Sequence, residues 1–293
     1  LVLAERRVAA FVQDRLGPNR VGPMGLMQPI ADGLKFLFKE QVIPSHVDRV
    51  IYLLAPAVVL IAAMVAFAVV PFGPSPMMIA PHLDIGVVYL FAVGSLAVYG
   101  VILGGFASRN NYAIMGGLRA MAQMISYEIA LGLSVVGVIM VYGTMDLSEL
   151  VESQGKMIGG WLPFWGIVTQ PVAFVVFLTA ALAETKRAPF DLPEAESEII
   201  GYFVEYSGMK FGMFFLTDFL ETIIVACLAT TLFFGGWQVP WLMADGFHFP
   251  WSGGSVLPVD NWVYVLLGVL SFSIKVVIFC FVFMQIRWTL PRF

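Results

Sequence analysis

The chain has 293 residues, of which 59% are hydrophobic and only 12% are charged, and its formal net charge is −4. A soluble domain carries about 25% charged residues, so this composition excludes an ordinary soluble protein and indicates a membrane protein. Cys227 and Cys280 both lie in apolar runs, and without a CxxC or a Cys/His cluster we expect no metal or iron–sulfur site in this chain. No Walker loop or nucleotide-binding GxGxxG follows a strand pattern, and we expect no nucleic-acid partner.

Apolar runs of about 20 residues, the length that crosses a bilayer as a helix, recur along the chain. They predict six complete spans, at residues 51–71, 86–106, 121–142, 161–183, 211–234 and 262–284. The opening LVLA is too short to span, and we interpret it as the end of a helix whose beginning is missing. The predicted fold is an all-α polytopic membrane protein, with a single integral membrane domain over residues 1–293.

The basic residues fix the orientation of these spans. Fourteen of the 16 lysines and arginines fall in 5–50, 107–120, 184–210 and the C-terminal end, which alternate with nearly uncharged loops. Cytoplasmic loops carry such an excess of positive charge. We therefore expect 5–50 and 184–210 to be loops on the cytoplasmic side, or on the matrix side in a mitochondrion. We expect the bacterial inner membrane in preference to the mitochondrial one.

The segment 28–40 predicts an amphipathic helix in the cytoplasmic interface. Pro29 suits the first turn of a helix. Apolar side chains would share one face and polar ones the opposite face, a pattern typical of helices that lie in the interface. A loop helix packed on a neighbouring element is the alternative interpretation.

Carboxylates are concentrated at the cytoplasmic side and continue into the spans. Counted from the cytoplasmic ends of the spans, Glu128, Asp218 and Glu221 lie inside the membrane, as does Lys275, and Glu184 and Glu205 lie at the mouth. Ionisable groups at such depth are costly and usually mark ion or proton routes. Carboxylates that lie close together share protons, which indicates a proton relay. The alternative is that these charges only pair helices, for example Glu221 with Lys275.

Three long motifs carry a resemblance to a known family. They are ERRVAAFVQDRLGPNRVGPMGLMQPIADGLKFLFKE (5–40), LRAMAQMISYEIAL (118–131) and AETKRAPFDLPEAESEIIGYFVEYSGMKFGMFFL (183–216), and the closing IRWTLPRF (286–293) fits as well. In this order they resemble the membrane-embedded H subunit of NADH:quinone oxidoreductase, or respiratory complex I, which is subunit 1 in mitochondria. The similarity extends over essentially the whole chain.

The resemblance implies a subunit at the junction of the redox arm and the membrane arm, with its cytoplasmic face forming the entrance and floor of a quinone chamber. The substrate would be ubiquinone or menaquinone, no cofactor would be bound covalently, and the iron–sulfur clusters and FMN would belong to partner subunits. Partners would be the quinone-chamber subunits of the redox arm, small membrane subunits, antiporter-like subunits and membrane lipid. Buried carboxylates would link quinone reduction to proton translocation.

The resemblance also assigns residues. The quinone-binding set is Glu5, Arg6, Asp32, Phe211 and Phe215. Together with Glu221, which its depth along the span adds, the proton-relay set is Glu128, Glu184, Asp191, Glu194, Glu196, Glu198, Glu205, Asp218 and Lys275. No residue is expected to be catalytic in its own right or to bind a metal.

The sequence departs from the family pattern in three places. Asp218 stands where the family usually has Glu, and the interval from Glu198 to Glu205 is one residue shorter than expected. The first and last helices are not covered, so we expect eight helices in the full subunit. Three other functions stay open: the homologous subunit of a membrane-bound hydrogenase or ferredoxin-linked complex, a self-contained secondary transporter, and a purely structural anchor for the redox arm.

Overall fold

The computed structural model describes residues 1–74, 83–158, 161–193, 198–199, 201–243, 246–248, 256–257 and 259–291. Ten α-helices follow one another in these ranges. They are α1 (Val2–Val12), α2 (Gln28–Phe38), α3 (Arg49–Ala66), α4 (Gly86–Ala107), α5 (Asn111–Tyr142), α6 (Leu147–Gln154), α7 (Gly166–Thr169), α8 (Pro171–Glu184), α9 (Gly208–Phe233) and α10 (Asn261–Thr289). Among the described residues, five of these helices are long and apolar enough to cross a membrane: α3 with the turn that follows it, α4, α5, α9 and α10. The polytopic all-α prediction is confirmed to that extent.

The predicted span 161–183 is not one continuous helix. Residues 166–169 form the single turn α7, Gln170 leaves the helical region with φ −137° and ψ 58°, and α8 begins at Pro171. Proline has no backbone N–H and cannot continue a helical hydrogen-bond ladder. Because α8 has only 14 residues, the count of six complete spans stays a prediction.

Two other boundaries differ from the sequence prediction. Helix α5 begins ten residues before the predicted residue 121, because the side chain of Asn110 accepts a hydrogen bond from the N–H of Tyr112 and so caps a helix that starts in polar sequence. Helix α1 extends to Val12, beyond the predicted start of the cytoplasmic loop at Glu5. Apolar composition alone therefore marked neither the beginning of α5 nor the end of α1.

Helix α2 occurs where the sequence predicts the amphipathic helix. Its Phe36 ring lies 6.0 Å from the ring of Phe211 on α9, and Ile30 and Leu37 are exposed on its other side. The structure therefore attaches α2 to the start of α9. Its interfacial location stays a prediction.

The core lies between α3, α4, α5, α8 and α9. Helices α3 and α4 approach so closely at Gly100 that a Cβ atom built there would lie 2.2 Å from Cγ2 of Val59 and 3.1 Å from the carbonyl oxygen of Ala55. Short antiparallel strands lie in the connections between helices: β1 (Met157–Ile158) with β2 (Leu162–Pro163), and β3 (Leu242–Met243) with β4 (Gly246–His248) and β5 (Val256–Leu257). The helices thus position the charged side chains, and the strands only close the loops.

Candidate functional site

Lys186 is the centre of a buried charge cluster. Its ammonium lies 3.3 Å from Oδ1 of Asp218 and 3.4 Å from Oε2 of Glu221, and its side chain has 0% exposure. Asp218 and Glu221 are three residues apart on α9 and therefore share a helix face. Ions this deeply buried are stable only when paired, so the three charges form one unit.

Glu184 and Glu128 extend this cluster toward α4 and α5. Glu128 and Glu221 are both close enough to repel a charge on Glu184, and Lys186 is close enough to attract it. The Glu184 carboxylate lies over Gly94 of α4, where a Cβ atom would be 3.8 Å from Oε1. Ser95 donates a hydrogen bond to Glu128. Four of the predicted relay carboxylates, Glu128, Glu184, Asp218 and Glu221, are therefore brought together.

An apolar cavity of about 90 Å³ begins at these acids. Glu184, Thr185 and Glu221 provide the polar groups of its lining, and its other walls are side chains of α3, α4, α5, α8 and α9 together with Leu147 at the start of α6. On α9 the lining runs from Glu221 to Leu232, a distance of about 16 Å along the helix. A water molecule needs about 10–15 Å³ on this measure, so the cavity has room for several.

A second cavity, of about 180 Å³, has an aromatic and charged lining. Its lining residues are Phe203, Phe211, Phe214, Phe215, Phe219, Arg187, Arg287, Asp191, Asp218 and Ala188. Phe211, Phe215 and Phe219 lie four residues apart on one face of α9, and each ring contacts the next. The guanidinium carbon of Arg187 lies 4.6 Å from the ring centroid of Phe219. Planar rings beside cationic donors form a pocket suited to a flat aromatic ligand with polar oxygens.

Glu5 holds the two arginines of this aromatic cavity in place. Its carboxylate is buried and accepts from Arg287, and it lies 3.4 Å from the guanidinium of Arg187. Predicted quinone-set residues thus reach the cavity in two ways: Phe211 and Phe215 line it directly, and Glu5 acts through the arginines. Arg6 and Asp32 lie elsewhere, in an ion pair of 2.6 Å that joins α1 to α2.

The remaining predicted acids divide into three groups. Asp191 lines the aromatic cavity. Glu198 pairs with Arg119 at 2.9 Å on the surface, and Glu205 accepts a hydrogen bond of 2.8 Å from the Asn110 amide, so the structure separates both from the Lys186 cluster. The predicted relay residues Glu194 and Glu196 lie outside the described residues.

Aromatic contacts anchor the segment around Glu205 to the helices. The Tyr206 ring stacks on Tyr52 at 4.1 Å, and the Tyr52 hydroxyl donates to the carbonyl of Glu205. Burial and the neighbouring Tyr52 raise the pKa of Tyr206 above its ordinary value. Tyr206 therefore stays protonated and donates to the carbonyl of Gly104.

Lys275 lies apart from the acids and does not pair with Glu221, the alternative that the sequence left open. Its ammonium donates to the carbonyl oxygens of Phe234, Gly236 and Gln238 at 2.8, 2.9 and 2.7 Å. These groups follow the C-terminal end of α9, whereas Glu221 lies in the middle of that helix and pairs with Lys186. Counting residues from the cytoplasmic end of each span places Lys275 and Glu221 at comparable depths. In the structure, however, the two side chains lie at different levels of the helix bundle.

Sequence reasoning missed the cations of the site. Lys186, Arg187 and Arg287 were treated only as evidence of orientation, although each contacts a predicted acid. The available signal was the TKR triplet (185–187) directly after Glu184, since buried acids need cationic partners.

The chain is similar to known proteins over its full length. The NADH dehydrogenase family matches residues 1–293. The H subunit of NADH-quinone oxidoreductase from Salinibacter ruber is 46% identical over 294 residues, covering 100% of this chain and 82% of the relative. NADH-quinone oxidoreductase subunit 8 of Rhodothermus marinus is 45% identical over 295 residues, covering 100% and 83% respectively. The chain, with its buried carboxylates and aromatic cavity, therefore belongs to the NADH dehydrogenase family.

Proposed function

We propose that this chain is the membrane subunit of a proton-pumping NADH:quinone oxidoreductase that forms the floor of the quinone chamber and couples quinone reduction to proton translocation. One observation carries the proposal. Lys186 contacts both Asp218, which lines the aromatic cavity, and Glu221, which lines the apolar cavity. A charge change in one cavity is therefore transmitted to the other through a single ammonium.

The aromatic cavity is the proposed binding site for the quinone. Phe211, Phe215 and Phe219 offer ring faces to a quinone headgroup, and Arg187 offers N–H donors to its oxygens. Reduction of a quinone to a quinol takes up two electrons and two protons. The electrons would come from an iron–sulfur cluster of a partner subunit, since this chain is expected to hold no redox centre, and FMN would likewise belong to a partner.

The Lys186 cluster is the proposed coupling element. Negative charge that develops on the quinone beside Asp218 attracts the ammonium of Lys186. The ammonium then interacts less with Glu221. Protons redistribute among Glu221, Glu184 and Glu128, since the charges of Glu221 and Glu128 both act on Glu184. The chain thus converts the reduction of the quinone into a movement of protons among its buried acids, toward the antiporter-like partner subunits.

The surface of the chain fits this location. The exposed apolar side chains of α2 would lie at the interface with membrane lipid, and the Arg6–Asp32 pair would hold α2 beside the chamber entrance. We place the protein in the bacterial inner membrane, with the redox arm and the small membrane subunits as further partners.

Replacing Glu184 by Gln in the assembled complex tests the proposal. The variant keeps the shape of the side chain and removes its proton, so we expect the rate of quinone reduction to fall roughly tenfold or more and fewer protons to be pumped per electron. Glu198→Gln is the matched control, because Glu198 pairs with Arg119 on the surface, and it should behave as the wild type. Normal pumping and normal quinone reduction in Glu184→Gln would refute the relay.

A further inference from the structure

The apolar cavity runs from the acids toward the far end of α9. Its lining residues on that helix include Glu221, Leu228 and Leu232, and the helix ends at Phe233. The first carbonyl bound by Lys275 belongs to Phe234. The cavity and the ammonium of Lys275 therefore lie toward the same end of α9.

Lys275 is fully engaged at that end. An ammonium has three N–H donors and no acceptor, and here all three donate to the carbonyls of Phe234, Gly236 and Gln238. The indole ring of Trp165 covers it at 4.6 Å. Within the described parts of the chain the ammonium makes no ion pair. With its three donors engaged, the ammonium has no free N–H to continue a chain of water molecules.

The charge itself opposes the approach of protons. Lys275 lies at the midpoint of α10, where low-polarity surroundings screen a charge weakly. Fixed positive charge in a narrow passage excludes protons and cations. The carbonyl end of α9 carries partial negative charge, which holds the ammonium in place.

We propose that Lys275 is an electrostatic barrier that closes the far end of the acid-lined cavity to protons, rather than a member of the relay. The inference rests on the proposed function, since a barrier is needed only where protons occupy the cavity. Its consequence is that protons taken up by Glu184 and Glu221 do not cross this chain at the far end of α9.

The test is passive proton leak in vesicles that contain the assembled complex, measured without NADH from the decay of an imposed pH gradient. Lys275→Met removes the charge and keeps most of the volume, and Lys275→Gln removes the charge but keeps N–H donors, so one variant serves if the other fails to assemble. We expect either to leak roughly tenfold faster than the wild type. Lys275→Arg keeps the charge and should not leak.

Two controls separate charge from packing. Lys156→Met makes the same chemical change on an exposed loop residue. Gln154→Leu removes the hydrogen bonds by which Gln154 joins the carbonyl of Thr231 to the N–H groups of Gly166 and Gly235, without changing any charge. Leak at the wild-type rate is expected for both. The barrier is refuted if the neutral Lys275 variants leak no more than Lys156→Met, or if Gln154→Leu leaks as much as they do.

The resting leak also separates this inference from the proposed function. Glu184→Gln addresses coupling during turnover and should not affect the leak at rest. A complex in which Glu184→Gln pumps normally while Lys275→Met leaks would refute the role of Glu184 in coupling and would still show that Lys275 blocks protons. The reverse pattern would refute the barrier alone.

Discussion

At the scale of single residues, Lys186 is held in an unusual way. Its φ of 55° is in the left-handed region, which is costly for a side chain with a Cβ atom. That backbone turn comes directly after α8 ends at Glu184 and directs the ammonium back into the bundle, onto Asp218 and Glu221. Two buried ion pairs offset the cost. The strained turn thus places one cation in contact with two buried acids.

Replacing Lys186 by Met should destabilise the protein strongly. It leaves Asp218 and Glu221 buried without their cation, which costs about 3–5 kcal/mol for a buried pair. Thermal unfolding of the assembled complex measures the loss, and Lys186→Arg, which keeps the charge, should lose less. In a double-mutant cycle, Asp218→Asn should cost less in the Lys186→Met background than alone. Strictly additive losses would show that the two groups do not interact.

At the scale of elements, the crossing of α3 and α4 sets the walls of the apolar cavity. Gly100 permits the close approach, and the same two helices contribute Ala62, Ala63 and Gly94 to the lining. Small side chains on both helices keep the cavity open. Because the Glu184 carboxylate lies over Gly94, the spacing of this helix pair also decides where the acid lies.

Gly100→Ala should force α3 and α4 apart. The new Cβ would lie 2.2 Å from Val59 and 3.1 Å from a backbone oxygen, and such overpacking costs about 1–3 kcal/mol. We expect a lower midpoint of thermal unfolding. Gly132→Ala is the matched control on α5, since nothing lies within 4 Å of its Cβ position, and its midpoint should be unchanged or higher, as alanine favours a helix. Equal midpoints for the two variants would contradict the close crossing.

At the scale of the whole molecule, Glu5 joins distant parts of the chain. Its carboxylate on α1 binds Arg187, which follows α8, and Arg287 in the last turn of α10. This junction fixes one wall of the aromatic cavity. The shape of the aromatic cavity, the proposed quinone site, therefore depends on a contact between residues 282 positions apart.

Glu5→Gln should weaken this junction. It leaves Arg187 without its buried carboxylate, at a cost of about 3 kcal/mol, and the more exposed Arg287 contributes less. We expect a lower unfolding midpoint of the complex and a higher KM for quinone. Glu149→Gln, on an exposed acid of α6, should leave both unchanged. An unaltered KM in Glu5→Gln would argue against the role of this junction in shaping the cavity.

The sequence predicts some of these features and not others for physical reasons. The ends of α4 and α9 lie within three residues of the predicted spans, because a long apolar run bounded by polar residues has one interpretation in a membrane. Depth along a span does not give the neighbours of a side chain, so the sequence offered Lys275 as a partner for Glu221, where the structure has Lys186. The separation of Glu198 and Glu205 depends on the path of a loop, which no periodic pattern encodes. Pro171, by contrast, was a visible signal for the break in the predicted span 161–183.

The interruption between α7 and α8 has a consequence for what surrounds the chain. A helix of 14 residues rises about 21 Å, which is less than the roughly 30 Å of hydrocarbon in a bilayer. If residues 161–183 cross the membrane as the sequence predicts, acyl chains cannot hydrogen-bond the irregular backbone beside α8, and Val172 and Val175 are exposed there. We therefore expect the flank formed by α7 and α8 to be covered by another polypeptide of the assembly. Lipid would then contact the opposite flank.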